Sequence, residues 1–466
     1  MPAPLRSPFD PSSEVMHSMG EAALDLAIRF IEERETAPAT DTEGAYELAA
    51  SLRRSPPEQG EDLGTLLGTI RLAASKAFDT AGPGYLAYIP GGGLYASAIG
   101  DFLACVTNRF VNISAPAPAL VQLEANVVRW LCDTFALPGA SQGILTSGGS
   151  IANFSAVVTA RHTKLGEDLT GARLYISEHV HHSVSKAARL AGIPSNAVVP
   201  VACDQRLRMD PTALDEAIER DLSAGLRPFL AVGSAGTVST GAVDPLSEIA
   251  RVCRERELWF HVDGAYGGFF RLTEQGRITL AGIEEADSIT LDPHKGMFLP
   301  YGTGSLLVRD GAALKDAHRE SAGYLPETSD DDALPDFADH SAELSRDFRG
   351  LRLWLPLHLH GVQMFRNALT EKLDLARTVY DELAADERLE VPWEPQLSLV
   401  AFRPREGGDE AAGRLLDEVN ASKRIFLSST SIGGRKYLRV CILSHRTRPD
   451  RIEEAIEIIK KATTRL

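Results

Sequence analysis

Between about residue 140 and residue 310, seven short apolar runs alternate with amphipathic stretches. The runs are GILTSGG, RLYISEH, AVVPVACD, PFLAVGSAGT, LWFHVDGA, SITLDPHK and GSLLVRD; IANFSAVVTARHTKLG and PTALDEAIERDLSAG are two of the stretches between them. A strand buried on both faces reads as a continuous apolar run, and a helix between runs returns the chain to the same end of a sheet. The pattern predicts an α/β fold: a mostly parallel seven-stranded sheet with helices on both faces. Ligands of such sheets bind beyond the carboxyl ends of the strands. The residues that close each run are therefore the candidates for chemistry.

The flanks have a different character. EVMHSMGEAALDLAIRFIEER places apolar residues at helical spacing and RSPPEQGED interrupts it, so residues 1–80 are expected to be a helical segment. From residue 361, VQMFRNALTEKLDLARTVYDELAA leads into two short strand candidates and a helix. Two more strands, RIFLSST and KYLRVCIL, and a last helix, RPDRIEEAIEIIKKA, follow. They predict a small α+β domain over 361–466 and leave 81–360 as the large α/β domain.

Composition narrows the partners. The 466 residues carry 48 basic and 64 acidic side chains, a net charge of −16, which disfavours nucleic acid and anionic membranes. No apolar run approaches the roughly 18 residues of a membrane span. The start MPAPLRSPFDPSSEV is too polar for a secretory signal. The five cysteines form no C-x-x-C pair, which fits a reducing, cytoplasmic setting.

At the first run end, TSGGSIAN, two glycines allow close backbone approach, and Ser150 stands where a helix begins. Free N–H groups there, with a hydroxyl, suit a phosphate; a serine-capped tight turn is the plainer reading. The pattern is neither GxxxxGK[ST] nor a full GxGxxG. SEHVHHS carries His179, His181 and His182, an invitation to a metal, but the acidic and cysteine partners of a closed site are not evident and no metal is expected. SAGTVSTG offers Thr237, whose hydroxyl could meet a ligand or simply close a turn. In HVDGAYGG, Asp263 ends an apolar run and needs a cationic or hydrogen-bonding partner, while Gly264 and Ala265 leave room for a flat ligand. Lys295 follows 32 positions later, about one β-α-β repeat, on another strand end of the same sheet. A phosphate cradle, a buried carboxylate and a desolvated amine on one rim match the needs of pyridoxal 5′-phosphate (PLP).

From GPGYLAYIPGG through APAPALVQLEANVVRWL, TSGGSIANFSAVVTAR, SEHVHHSV, HVDGAYGG and DPHK to RDFRGLRLW, the chain resembles the PLP-dependent amino-acid decarboxylases of fold type I, which include the aromatic-L-amino-acid, glutamate and histidine enzymes. The resemblance implies the PLP-dependent transferase fold, decarboxylation of a small-molecule L-amino acid, and a homodimer with its site at the interface. It implies Lys295 as the Schiff-base lysine, Asp263 as the partner of the ring nitrogen, Ala265 near the ring and His181 stacked on it. It places Gly149, Ser150 and His294 at the phosphate and Thr237 near the cofactor or the substrate carboxylate. Arg439 matches an arginine that meets a substrate carboxylate or serves a structural ion pair.

Departures from the family pattern matter too. Phe337 stands where the amine-forming aromatic enzymes place a tyrosine that returns a proton to the substrate. In the plant aromatic branch a phenylalanine there accompanies oxidative decarboxylation–deamination to an aldehyde, the alternative activity. Asp292 replaces a phosphate-contacting asparagine of some relatives and is expected to point elsewhere. Ile89, Gly91 and Asn112 differ from the aromatic enzymes, whereas Tyr88 and Phe110 stay aromatic; a smaller or more polar substrate side chain follows from that reading. An aminotransferase or other fold type I enzyme, or a metal hydrolase built on the histidines, are the competing readings.

Overall fold

The structure is a computed structural model and describes residues 7, 9–320 and 334–466. Every apolar run contains a strand: β1 Gln142–Thr146, β2 Ala172–Ser177, β3 Val198–Val201, β4 Arg227–Ser234, β5 Trp259–Gly264, β6 Ser288–Leu291 and β7 Gly304–Val308. They form one sheet in the order β1-β7-β6-β5-β4-β2-β3. Strands β3, β2, β4, β5 and β6 are mutually parallel, and β7 runs antiparallel to both β6 and β1. No long helical crossover separates β6 from β7, and an antiparallel neighbour requires none. All residues of β5, β6 and β7 are buried, as their unbroken apolar character requires.

The second sheet is antiparallel, in the order β10-β11-β9-β8, from β8 Leu389–Glu390, β9 Leu399–Pro404, β10 Ser428–Ile432 and β11 Arg435–Cys441. It has its own apolar core, with Leu383, Phe402, Leu415, Leu438 and Ile459 among its members. The helical run Gly350–Ala384 leads into it, broken at Gly361 (φ 71°, ψ 153°), where a side chain would be strained. RIFLSST is only partly strand in this sheet. Residues before Ser428 bond elsewhere: the Phe426 N–H donates to the Gly84 carbonyl (2.9 Å), and the Leu86 N–H donates to that of Phe426 (3.0 Å).

The N-terminal region forms helices Ser13–Glu32, Ala45–Ser51 and Leu63–Ser75, none with a buried residue. Ser12 and Asp62 cap the first and third by accepting the N–H groups of Val15 and Thr65.

Candidate active site

The ends of β1, β2, β4, β5 and β6 open on one cavity of about 300 Å³. The chain after β1 enters the helix Gly149–Leu165, whose N-terminus has no side-chain cap. Gly148 has φ 153°, and a Cβ on Gly149 would lie 3.0 Å from Asp292 Oδ2 and 3.1 Å from the Ala265 Cβ. A side chain at 149 would crowd this approach of the backbone to the cavity wall, and the leading N–H groups of the helix face a space that an anion suits.

Strand β5 presents Trp259, His261 and Asp263 to one face, as a two-residue period requires. The Asp263 carboxylate is 7% exposed. Its Oδ2 accepts from Asn153 Nδ2 at 3.0 Å and its Oδ1 from the Ala265 N–H at 3.1 Å. Neutral donors thus hold both oxygens.

After β6 comes a single turn, Pro293–Gly296. Lys295 Nζ lies 2.9 Å from Asp292 Oδ2. His294 is pinned through Nδ1, which donates to the Thr303 carbonyl at 2.7 Å, with Nε2 3.7 Å from Asp292 Oδ2. Burial pushes the His294 imidazole below its ordinary pKa. Asp292 itself does not point away: it is buried, lines the cavity, and its Oδ1 has no hydrogen-bond partner among the described residues. This carboxylate makes the ion pair with Lys295 and, together with the Ala265 Cβ, crowds the space beside Gly149.

His181 caps the helix His182–Leu190, its Nδ1 accepting the Ser183 N–H at 3.2 Å. Ser183 Oγ lies 2.7 Å from the same nitrogen. Burial holds the pKa of His181 low as well. Thr237 is buried in the loop after β4, with Oγ1 3.3 Å from Thr240 Oγ1. Next to it Gly236 has φ 107°, and a Cβ there would strike the Tyr266 ring at 2.7 Å.

Gly149, Ser150, His181, Thr237, Asp263, Ala265, His294 and Lys295 therefore all line the cavity, and so does Ile89. Other sequence candidates stay outside the lining within this chain. Tyr88 and Phe110 are 54% and 40% exposed. Asn112 is fully buried, with its amide donating to the Leu344 carbonyl. Arg439 is also buried; it donates to the Val238 carbonyl and, at 2.9 Å, to Ser428 Oγ. Phe337 is 1% exposed, with the Arg346 guanidinium 4.8 Å from its ring centroid. Arg346 in turn pairs with Glu124 at 2.7 Å. Residues 321–333, on the N-terminal side of Phe337, lie outside the described residues. Among the described residues no group of three or more His, Cys, Asp or Glu side chains is arranged to hold a metal ion. Sequence reasoning missed Asn153, four residues after Gly149, and turned Asp292 away from the cavity that it lines.

The residues present fit PLP. The uncapped helix start and its glycine cradle suit a phosphate, Asp263 suits a protonated ring nitrogen, and Lys295 offers an amine to an aldehyde. Comparison with known proteins agrees. The family model described as the pyridoxal-dependent decarboxylase conserved domain matches residues 46–405. An aromatic-L-amino-acid decarboxylase of Bacillus atrophaeus is 33% identical over 459 residues, covering 97% of this chain and 95% of that protein. The crystal structure of Oryza sativa TDC with PLP and tryptamine matches with a TM-score of 0.93 at 27% identity, covering 99% of each chain. That of Rhodiola rosea 4-hydroxyphenylacetaldehyde synthase matches at 0.90 and 25% identity, covering 99% of this chain and 100% of the other. The family match spans most of the chain's length and the residues of the strand-end cavity fit the coenzyme, so this chain is a member of the pyridoxal-dependent decarboxylase family, a PLP-dependent amino-acid decarboxylase.

Proposed function

We propose that the strand-end cavity is where this chain removes CO₂ from an L-amino acid to leave the amine, with Lys295, Asp263 and His181 as its catalytic groups. The observation that carries this reading is the meeting of Lys295, Asp263 and the uncapped helix at Gly149 in one cavity. When bound, PLP supplies an aldehyde that condenses with amines and a protonated ring that takes up the electron pair left by a departing carboxylate. Gly149 and Ser150 hold its phosphate through backbone N–H groups, with His294 beside them. Asp263 keeps a proton at the ring nitrogen. His181 has committed Nδ1 to Ser183, so it presents its Nε2–H edge to the cavity. Lys295 must shed a proton before it can condense, and Asp292, 2.9 Å away, is an acceptor within reach. Thr237 and Ala265 bound the space in which the substrate is oriented.

The substrate side chain in this reading is aromatic. The named relatives act on or hold aromatic compounds, and one ground for a smaller, polar substrate is weakened because Asn112 turns its amide away to Leu344. Tyr88 and Phe110 remain on the exposed surface, where a second copy of the chain can bring them to a site. The homodimer is supported by the helix Ser13–Glu32, which leaves Val15, Met16, Met19, Leu24 and Ile28 exposed in the single chain. In that assembly residues 1–80 serve as a helical arm, 81–360 as the coenzyme domain and 361–466 as a small domain with its own core. The five free cysteines support a cytoplasmic setting.

A second reading rests on Phe337, which has no proton to give, and on the aldehyde synthase among the relatives. In it, one O₂ and one water are consumed for each amino acid, and CO₂, ammonia, H₂O₂ and the aldehyde are released. Incubating the PLP-loaded protein with a panel of L-amino acids separates the two. Equimolar CO₂ and amine without O₂ uptake supports the first; aldehyde with stoichiometric H₂O₂ establishes the second. No CO₂ from any aromatic amino acid defeats the substrate assignment.

A further inference from the structure

Behind the cavity lies a file of buried polar side chains. Trp259, His261, Asn153, Ser288 and Ser183 are 4%, 1%, 1%, 0% and 3% exposed. Successive members are 2.8 to 3.0 Å apart: Trp259 Nε1 to Ser288 Oγ 2.8 Å, Ser288 Oγ to His261 Nδ1 2.8 Å, His261 Nε2 to Asn153 Oδ1 3.0 Å, Asn153 Nδ2 to Asp263 Oδ2 3.0 Å and to Ser183 Oγ 2.9 Å. We propose that Asn153 and His261 are positioning residues that orient Asp263 and His181 together, through a chain of hydrogen bonds whose direction is fixed from both ends.

An indole N–H only donates, so Ser288 Oγ accepts from Trp259 and gives its single proton to His261 Nδ1, the remaining partner within reach among the described residues. His261 then carries its proton on Nε2 and donates to Asn153 Oδ1. Thr290 Oγ1, at 3.5 Å, is the outlying contact on that nitrogen. The amide nitrogen of Asn153 spends one proton on Asp263 and the other on Ser183. Ser183 passes its own to His181 Nδ1. The far end gives the same answer: an ionised carboxylate only accepts, so the nitrogen of Asn153, not its oxygen, must face Asp263. A flipped amide would set oxygen against oxygen and leave two buried groups unsatisfied, at the full cost of desolvation. Burial also holds His261 neutral, with its pKa lowered to about 4, so it has one proton to place.

The consequence is that one amide sets two groups facing the cofactor. Asp263 is aimed by a donor behind it, and the tautomer of His181 is set by the same donor through Ser183. This inference rests on the reading of the cavity as the PLP site, and its test separates the two. PLP is removed and titrated back into the wild-type protein, His261→Gln and His261→Leu, following the coenzyme absorption band. Glutamine places a donor near the position of Nε2; leucine fills similar space without one. The expected result is a Kd raised at least tenfold in His261→Leu and within threefold of wild type in His261→Gln. Equal affinity in the leucine variant, or a glutamine variant closer to leucine than to wild type, overturns the proposal. Histidine ¹⁵N spectra of the PLP-free protein give a readout that needs no cofactor: both His261 and His181 should carry their protons on Nε2. Asn153→Leu should mix the tautomers of His181, and a proton on Nδ1 of either ring in the wild type contradicts the chain. Should His261→Leu fail to fold, Trp259→Phe removes one N–H far from the cavity. It should raise Kd threefold or more and mix the tautomers of His261; unchanged affinity with a single tautomer counts against the proposal. A wild-type protein that takes up no PLP sinks the reading of the cavity, while the spectra still decide the chain.

Discussion

Asp292 is the residue whose placement most changes the picture. A carboxylate beside the proposed phosphate site should cost affinity, yet here it lies against Gly149 and forms an ion pair with Lys295 at 2.9 Å. Replacing it by asparagine keeps the shape and removes the charge that opposes phosphate. Asp292→Asn is therefore expected to bind PLP three- to tenfold more tightly in an absorbance titration; weaker binding would mean that the carboxylate supports the site through Lys295. The apolar runs put Asp263 and Lys295 beside strand ends, where the structure has them, whereas His181 was singled out from its neighbours by the resemblance alone. The sequence could not say which way Asp292, Asn112 or Arg439 turns. Those directions depend on partners far along the chain: Lys295 for the first, Leu344 for the second, and Val238 with Ser428 for the third.

Elements were more legible than directions. The seven strands follow from unbroken apolar runs bounded by turn residues, and the helix that begins at Gly149 follows from its glycine pair and its amphipathic continuation. The antiparallel sense of β7 and the partial loss of RIFLSST from the second sheet were not legible. Both depend on which backbone lies alongside, here β1 for the one and residues 84–86 for the other. The approach of the Gly149 turn to the cavity yields a prediction at this scale. In Gly149→Val the added branch must displace Asp292 and Ala265, whose atoms lie 3.0 and 3.1 Å from the Cβ position. PLP affinity is expected to fall at least tenfold in an absorbance titration while the far-ultraviolet circular dichroism stays that of the wild type. Retained affinity would show that the phosphate does not use this turn.

At the scale of the whole molecule, buried imidazoles set the response to acid. Burial lowers the pKa of His261 to about 4 and that of His445 to about 3. Each binds a proton more readily when unfolded, so stability rises with pH across the window from those values to about 6.5 and is lost as pH falls through it. Asp244 opposes this: burial raises it to about 6, so the folded chain holds its proton more tightly and gains stability as pH drops below that value. Between pH 7 and pH 5 each histidine loses on the order of 2 kcal/mol and the aspartate returns about 1, so the histidines win. The melting temperature should fall over that interval, and one that rises or stays level would contradict the assignment of neutral buried histidines. The proposed condensation of the Lys295 amine with PLP in the strand-end cavity is open to a chemical test. Borohydride reduction of the PLP-loaded protein, followed by peptide mass mapping, tests it most directly. One pyridoxyl group per chain is expected, on the peptide containing Lys295 and absent from Lys295→Ala; a label on another lysine, or no label at all, would rule that condensation out.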